Sequence, residues 1–348
     1  MLSALRLVAP GRPLREGLDR IVQAKMGALV VVGDGPDVLA LCSGGFLLDA
    51  EFTPQRLSEL AKMDGAMILS SDCSRIARAN VQLVPNPDIP TLETGTRHRT
   101  AERVAKQIDA PVITISEELA LVAVHRRGLK RTLEPVVRVL SRADQALQIL
   151  ERYKVRLDAV SNSLSALEVE DLVTVRDVST ALQRAEMVRR IAEEIEEYVI
   201  ELGADGRLIL LQLEELMGGV EDDRRLFAKD YFSPAADYEI HDAMNALSEL
   251  DTEAVLDLRE VADVLHLPHD AGLDTAVQPH GYRLLHKIPR LPELIADHVV
   301  ERFTHLQKIM RAGVPDLVEV EGVGEARARA IKDGLARLAE TSILERYV

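Results

Sequence analysis

The sequence predicts an α/β N-terminal domain with a mixed sheet flanked by helices (residues 1–133), an all-α helical linker (134–280) and a small C-terminal domain of paired helices (281–348). Three observations support this division. Short β-branched runs alternate with helical patterns in the first part, and long helical spacing without breakers fills the second. In the third part acidic and basic residues return to near balance, although the whole chain has a formal net charge of −15.

The composition suits a globular protein of two or three domains. The chain has 348 residues, of which 47% are hydrophobic. No apolar run approaches the roughly 20 residues of a membrane helix, and the N-terminus lacks the basic stretch and apolar core of a signal peptide. Cys42 and Cys73 form neither a metal-ligand pattern nor a disulfide framework. We therefore expect a cytoplasmic protein without a membrane partner.

Charge and aromatic content limit the kinds of nucleic-acid binding that we expect. A net charge of −15 argues against nonspecific binding by the whole surface and leaves room for a local basic patch. Aromatic residues make up 3% of the chain and tryptophan is absent, so a stacking platform for single strands is not expected.

The first region contains strand and helix signals in alternation. The run from Gly27 to Gly33 is apolar and β-branched, which predicts a strand, and residues 38–42 are predicted as its hairpin partner. Thr53 followed by Pro54 predicts a helix start, with the helix ending near Met63. Further strands are predicted at residues 66–69, 81–84, 111–115 and 119–124, and a further helix at 96–108.

The second region is predicted to be almost purely helical. Residues 136–167 keep a helical spacing of apolar side chains without a breaker, which allows one long helix or a helix pair. Residues 175–202 repeat this pattern with arginine and glutamate on the other face. Both stretches exceed the usual helix length, which favours a spine or a bundle over a compact enzyme core.

The C-terminal region contains a Gly-x-Gly turn between two predicted short helices. Gly322 and Gly324 in residues 317–328 resemble the helix-hairpin-helix motif of DNA repair and recombination proteins. Backbone N–H groups in such a turn lie at a helix N-terminus and can bind a phosphate without reading the base sequence. Arg327, Arg329 and Lys332 follow and can add positive charge. The alternative is a turn that only joins two packed helices.

An upstream segment has the outline of a second hairpin. Residues 284–309 show the same order of helix, turn and helix, although the turn at residues 288–292 has no glycine. We expect this copy to pack against the intact one and to contact phosphate through Arg290 or Lys287.

Two motifs in the first region carry chemistry. Asp64-Gly65-Ala66 places a carboxylate between the end of a helix and the start of a strand, a common place for a metal ligand or a general base. By itself the pair Asp-Gly is also typical of a plain turn.

The second motif lies at a predicted helix start. Residues 96–100, Thr-Arg-His-Arg-Thr, bring hydroxyl and guanidinium groups to a helix N-terminus, where free N–H groups favour an anion. Arginine can hold a phosphate through two parallel hydrogen bonds. The alternative is that Thr96 is an ordinary N-cap and that Arg97 and Arg99 form a solvated face, with His98 in a structural role.

The two motifs together, about thirty residues apart, resemble the diadenylate cyclase family. The order of an α/β domain, a helical linker and a helix-hairpin-helix domain resembles the bacterial DNA integrity scanning proteins of that family. The resemblance covers nearly the whole chain, and further matching stretches lie at residues 8–11, 44–46, 281–285 and 287–292.

The resemblance implies roles for individual residues and a divalent cofactor, Mg²⁺ or Mn²⁺. Asp64 would hold the metal and help to activate a ribose 3′-hydroxyl, with Arg97 and Arg99 as further catalytic groups. The implied ATP-binding residues are Gly65, Leu83 (adenine, through its main chain), Thr96, Arg97, His98, Arg99, Thr100 and Ser116. The implied DNA-binding residues are Gly322, Gly324, Arg327 and Lys332.

The implied activity is the condensation of two ATP molecules into cyclic di-AMP and two pyrophosphates. Each chain has one copy of each motif, whereas the product is two-fold symmetric, so two facing chains are needed. The resemblance implies a homo-octamer with face-to-face cyclase domains, a nucleoid-associated location and sequence-independent binding of branched or junction DNA that lowers cyclase activity. The competing interpretations are a DNA-binding scaffold without catalysis and a repair nuclease.

Overall fold

The computed structural model describes residues 1–232 and 238–346. By internal contacts the chain divides into two units, one formed by Met1–Gln145 and Ile195–Gln212 and the other by Ala146–Glu194 and Leu213–Val348. The predicted helical linker is therefore divided between the two units.

The first unit is a mixed sheet with helices on both faces, as the sequence predicts. Its helices are α1 (Leu2–Leu7), α2 (Pro13–Gln23), α3 (Pro36–Leu39), α4 (Pro54–Leu60) and α5 (Thr96–Gln107). Its strands are β1 (Ala28–Val32), β2 (Cys42–Ser43), β3 (Phe46–Glu51), β4 (Ala66–Leu69), β5 (Arg75–Leu83), β6 (Val112–Ile115), β7 (Val122–Arg126) and β8 (Leu129–Thr132).

The strand order is β2-β5-β4-β1-β6-β7-β8, and β3 also pairs with β5. Only β1 and β4 run parallel, and the other paired strands are antiparallel. All five residues of β1 are buried because helices cover both faces of the sheet at this point. Val30 and Val32 pack with α1, α2 and α4, whereas Leu29 and Val31 pack with α5.

The predicted hairpin between residues 27–33 and 38–42 is wrong. Pro36 begins helix α3, where a proline fits because the first helical residue needs no N–H partner. Both neighbours of β1 in the sheet are other strands, β4 and β6, so no free edge remains for a hairpin partner. Cys42 instead pairs with Leu83 of β5.

Most other predicted elements of the first unit are confirmed. The Thr53 hydroxyl oxygen accepts a hydrogen bond from the backbone N–H of Arg56 at 3.1 Å, which caps α4. The predicted strand at 81–84 is the end of the longer β5, and the one at 119–124 begins only at Val122. Helices α1 and α2 and strands β3 and β8 were not predicted. The side chains of β3 and β8 are mostly exposed and show no alternation that a pattern could detect.

We predict that His125 on β7 makes the first unit less stable in mild acid. Burial, together with the charge of Lys130, lowers the pKa of this imidazole from 6.5 to about 4. The unfolded chain therefore takes up the proton first, so the stabilisation is complete above pH 6.5 and is lost as the pH falls towards 4. Between pH 6.5 and 5 the loss is about 2 kcal/mol.

Hydrogen exchange of the β6–β7 amides at pH 7.5 and 5, corrected for the intrinsic exchange rate, measures this loss. His125→Gln should remove most of the difference in protection between the two pH values. His241→Gln changes an exposed histidine of the other unit and is the control. Equal pH sensitivity in wild type and His125→Gln would contradict the prediction.

Two long helices follow the sheet. Helix α6 (Val136–Glu170) is single, which decides between the two predicted possibilities, and α7 (Val175–Leu202) has the predicted bounds. After a 3₁₀ turn at Gly203–Gly206 come α8 (Arg207–Met217), α9 (Val220–Tyr231), α10 (Ile240–Glu249), α11 (Thr252–Leu256) and α12 (Leu258–Val264). No helix in the described part of the chain is long and apolar enough to cross a membrane.

The C-terminal region of the second unit has its own apolar core. It contains α13 (Tyr282–His286), α14 (Glu293–Phe303), α15 (Leu306–Arg311), α16 (Val314–Val318) and α17 (Glu325–Arg346). The start of α13 is held by the buried carboxylate of Asp230, which accepts hydrogen bonds from the backbone N–H groups of Gly281, Tyr282 and Arg283 at 2.6–2.7 Å. Asp230 therefore fixes the backbone at the start of α13.

Candidate active site

One edge of the sheet gathers the ends of four strands. Leu29 pairs with Ala66, Ala66 pairs with Val81, and Ala28 pairs with Ile115. The starts of β1 and β4 therefore lie beside the ends of β5 and β6. Residues just outside these strands, which are far apart in the sequence, consequently come together at this edge.

A cavity of about 550 Å³ opens at this edge. Its wall is formed in part by every predicted nucleotide-site residue of the first domain except Arg99. The lining residues are Leu29, Asp64, Gly65, Ala66, Val81, Gln82, Leu83, Gly95, Thr96, Arg97, His98, Thr100, Ser116, Glu117 and Glu118. The Asp64 motif and the Arg97 motif therefore form one site, which the sequence alone did not establish.

The Asp64 carboxylate lies in the loop between α4 and β4 and is exposed. Gly65, the next residue, has a φ of +104°, which favours glycine. A Cβ atom at position 65 would lie 2.8 Å from the backbone carbon of Asn80. Glycine is therefore required for the close approach of this loop to β5, and that approach places Asp64 at the cavity.

The N-terminus of α5 also opens into the cavity. Gly95, with a φ of +78°, occupies the N-cap position and has open space around its α-carbon. Thr96 is the first helical residue, so the alternative in which Thr96 is an ordinary N-cap is wrong. No side chain caps this helix, which leaves N–H groups of its first turn available for an anion.

The Arg97 guanidinium packs over Gly27, the residue before β1. A Cβ atom at position 27 would overlap the guanidinium group in this position, so glycine leaves room for the contact. Arg97 therefore lies against the sheet edge. Arg99, two residues further along α5, is exposed and does not line the cavity of its own chain.

His98 is half-buried, and its Nδ1 atom is buried without a hydrogen-bond partner among the described residues. Burial lowers the pKa of this imidazole, the Glu93 carboxylate opposes that effect, and Lys130 and Arg97 add to it. The ring is therefore neutral at pH 7.

Ser116 follows β6 directly, and its hydroxyl oxygen accepts a hydrogen bond from the backbone N–H of Leu119 at 3.3 Å. This bond organises the turn that brings Glu117 and Glu118 to the cavity. Sequence reasoning assigned no role to these two glutamates. The detectable signal was an acidic pair immediately after a buried strand that ends at the same sheet edge as Asp64.

The two glycines of the C-terminal turn have different roles. Gly322 has a φ of +79°, and a Cβ atom there would lie 2.6 Å from Cδ1 of Ile295 in α14. Gly322 therefore serves the turn and the packing of one hairpin on the other. Gly324 has no positive φ, and no heavy atom of the described residues lies within 4 Å of the place that a Cβ atom would take. The backbone at Gly324 is thus open to a ligand.

The basic side chains after this turn are partly engaged within the fold. The Lys332 ammonium donates to the carbonyl oxygens of Met310 and Ala312 at 2.7 and 2.8 Å. Arg327 donates to the carbonyl oxygen of Gly322 at 2.6 Å. Lys332 therefore connects α17 to the end of α15, and the exposed Arg327 lies at the turn.

Two family descriptions match the chain. "DisA bacterial checkpoint controller nucleotide-binding" covers residues 15–129, and "DisA bacterial checkpoint controller linker region" covers residues 133–273. The DNA integrity scanning protein DisA of Streptomyces avermitilis is 56% identical, and the match covers 100% of this chain and 94% of that protein. DisA of Parafrankia sp. is 55% identical, with 99% and 97% covered. The chain belongs to the DisA family.

Membership of the DisA family makes the protein a diadenylate cyclase, with its nucleotide-binding domain in the first unit. Among solved structures, DacA from Staphylococcus aureus is 26% identical and covers 34% of this chain and 83% of that chain. Its TM-score of 0.30 is too low to support an argument about the fold.

A DisA-family cyclase implies a divalent metal, and the cavity offers suitable donors. Asp64, Glu117 and Glu118 bring carboxylates to its wall. The described residues contain no preformed group of three metal-ligating side chains. Mg²⁺ is usually held by one or two carboxylates together with substrate phosphates and water, so this open arrangement fits an ion that arrives with the nucleotide.

Proposed function

We propose that the protein condenses two ATP molecules into cyclic di-AMP and two pyrophosphates. One observation carries this proposal: Asp64 and the first turn of α5, about thirty residues apart in the chain, line a single cavity. A carboxylate for a metal and an anion-binding helix start are the two groups that transfer of an adenylyl group needs.

Different residues of the chain have different roles in the proposed reaction. The N–H groups of Thr96 and its successors, with the Arg97 guanidinium, hold the triphosphate and stabilise the charge that grows on the leaving pyrophosphate. Asp64 would hold the metal, which when bound would polarise the α-phosphate, and would help to orient the attacking 3′-hydroxyl. The neutral His98 donates or accepts a hydrogen bond at the phosphates.

The main chain of Leu83 is suited to adenine. The N–H of Val84 donates to the carbonyl oxygen of Leu41 at 2.8 Å, on the β2 side of β5. Because neighbouring residues of a strand direct their N–H and C=O groups to opposite sides, those of Leu83 point away from β2. On that side β4 begins only at Ala66, opposite Val81. Leu83 therefore offers adenine a donor and an acceptor at the cavity wall.

A single cavity binds one of the two nucleotides that the reaction needs. Each 3′-hydroxyl must attack the α-phosphorus of the other nucleotide, so two cavities must face each other across a two-fold axis. We propose that the active form is a homo-oligomer of this kind, and that it is the homo-octamer implied by the family resemblance, in the cytoplasm and associated with the nucleoid.

Incubation of the purified protein with ATP and either Mg²⁺ or Mn²⁺ tests the proposed reaction. We expect cyclic di-AMP and pyrophosphate in a ratio of one to two, identified by chromatography and mass spectrometry. The absence of cyclic di-AMP with both metals would overturn the proposal and would leave a nucleotide-binding scaffold. A nuclease would instead degrade added DNA in the same buffer.

We also propose that the C-terminal hairpin binds the backbone of branched DNA and that this binding lowers cyclase activity. The open backbone at Gly324 and the exposed Arg327 support this part of the proposal. Lys332 contributes through the shape of the hairpin rather than through a free charge, since its ammonium is bonded to two carbonyl oxygens.

Gly324→Leu should weaken binding of junction DNA by about tenfold or more, because the side chain would keep phosphate away from the turn N–H groups. Fluorescence anisotropy with a labelled four-way junction measures this at fixed salt. Gly35→Leu is the control, since Gly35 is also surrounded by open space and has no positive φ. Unchanged affinity in Gly324→Leu would mean that the turn is only structural.

A further inference from the structure

A twelve-residue segment connects the two sides of the cavity. Residues 84–95, called the strap here, link β5 to α5 without a helix or strand of their own. Leu83 immediately before the strap and Thr96 immediately after it both line the cavity. The strap therefore sets the position of the phosphate side of the cavity relative to the adenine side.

One face of α5 holds the strap along its length. Four residues spaced as i, i+1, i+4 and i+5 point to the same side of the helix and bond to successive strap residues. Apart from the hydrogen bonds of Glu102, these are hydrogen bonds from Asn86 N to Gln107 Oε1 (2.8 Å), from Arg103 Nε to Ile89 O (3.0 Å) and from Lys106 Nζ to Pro90 O (2.9 Å).

Glu102 makes the densest set of these contacts. One carboxylate oxygen accepts hydrogen bonds from the Thr91 hydroxyl at 2.5 Å and from the backbone N–H groups of Leu92 and Glu93 at 3.1 and 3.3 Å. The other oxygen accepts from the Lys106 ammonium at 2.6 Å. Glu102 does not line the nucleotide cavity, so it can act there only through the residues that it positions.

The Glu102 carboxylate is charged under all assay conditions. Burial raises its pKa, but the hydrogen bonds from Lys106, Thr91 and Leu92 outweigh that effect and lower the pKa to about 2. Because the folded pKa is lowered, the bonds are complete above the ordinary value of 4.5 and weaken only as the pH falls towards 2.

A second anchor lies next to the first. The Glu93 carboxylate accepts a hydrogen bond from the Lys130 ammonium of β8 at 2.5 Å. The strap is therefore fixed to both α5 and the sheet at residues 91–93, just before Gly95 and Thr96 enter the cavity. A displacement here would move the N–H groups that face the triphosphate.

We infer that Glu102 is a positioning residue for the cyclase reaction: by holding Thr91, Leu92 and Glu93 it sets the place of the Gly95–Thr96 turn at the nucleotide phosphates. This inference rests on the proposed function. Glu102 belongs to neither recognised motif and does not touch the substrate.

Glu102→Ala should raise the KM for ATP by about tenfold or more. It should also lower kcat, so that kcat/KM falls by more than the rise in KM alone, because a misplacement of about 1 Å is costly in such sites. Glu102→Gln keeps an oxygen for the strap and should retain much of the activity. Glu16→Ala is the matched control, since Glu16 forms a similar i,i+4 ion pair with Arg20 on α2 without touching the strap. A KM for Glu102→Ala equal to that of Glu16→Ala would overturn the inference.

A double-mutant cycle with Thr91→Val separates positioning from helix stability. If Glu102 acts through the strap, the two losses in kcat/KM will not add, because both changes remove the same contact. Additive losses would overturn the inference.

Equilibrium binding of 3′-deoxy-ATP, which cannot react, should weaken in Glu102→Ala whether or not the wild type makes cyclic di-AMP. An unchanged dissociation constant contradicts the positioning role, whereas missing product in the wild type contradicts the proposed reaction alone.

Discussion

Asp64→Asn should abolish synthesis of cyclic di-AMP, with a loss of about 10³-fold or more. Asparagine keeps the shape of the side chain but removes the negative charge that would hold a divalent cation against the nucleotide. Asp64 is exposed in a loop, so the fold should tolerate the change. The rate of cyclic di-AMP formation by chromatography, together with the melting temperature and the oligomeric state, measures the effect.

Asp37→Asn provides the matched control for this experiment. Asp37 is also exposed and lies in α3, and it does not line the nucleotide cavity. It should keep wild-type activity. If Asp64→Asn retained a tenth of the activity or more, the metal would have to be held mainly by Glu117 or Glu118, and Asp64 would lose its proposed role.

Arg97→Ala should lower kcat/KM for ATP by about 10²- to 10³-fold, because a guanidinium beside the phosphates stabilises charge in both the bound substrate and the transition state. The packing of Arg97 over Gly27 places this group within its own chain's cavity. Steady-state kinetics with pyrophosphate detection, and 3′-deoxy-ATP binding, measure the loss.

Arg99→Ala is the informative comparison. It removes the same side chain two residues further along α5, at a position that is exposed and outside the cavity. We expect a loss below about tenfold, as for an exposed charge that is screened by solvent. A loss as large as that of Arg97→Ala would show that Arg99 contacts the nucleotide held by the facing chain.

Most regular elements with a strong local pattern were predictable. The buried run of β1, the proline-started helix α4 and the long helices α6 and α7 follow from periodicity and capping signals. The wrong hairpin prediction has a long-range cause. Residues 38–42 have strand-like composition, yet β1 is paired with β4 and β6, and that pairing depends on residues far away in the chain.

The same distinction holds for the site. The chemistry of Asp64 and of the arginines at the start of α5 could be recognised in the sequence because the two motifs occur together, about thirty residues apart. Gly27 and Glu102 carry no local signal, and the acidic pair at Glu117 is informative only once the position of its strand in the sheet is known. Their roles arise from sheet register, from a glycine that leaves room for a guanidinium, and from a helix face that binds the strap.

The sequence by itself determined the class of the domains, the two chemical motifs and the likeness to a cyclase family, since each follows from the identity and order of residues along the chain. The tertiary structure decided that Asp64 and Arg97 share one cavity while Arg99 lies outside it, and that Gly324 is open while Gly322 is packed. The physical reason is that pairing and packing join distant residues, and local patterns do not encode which distant residues will meet.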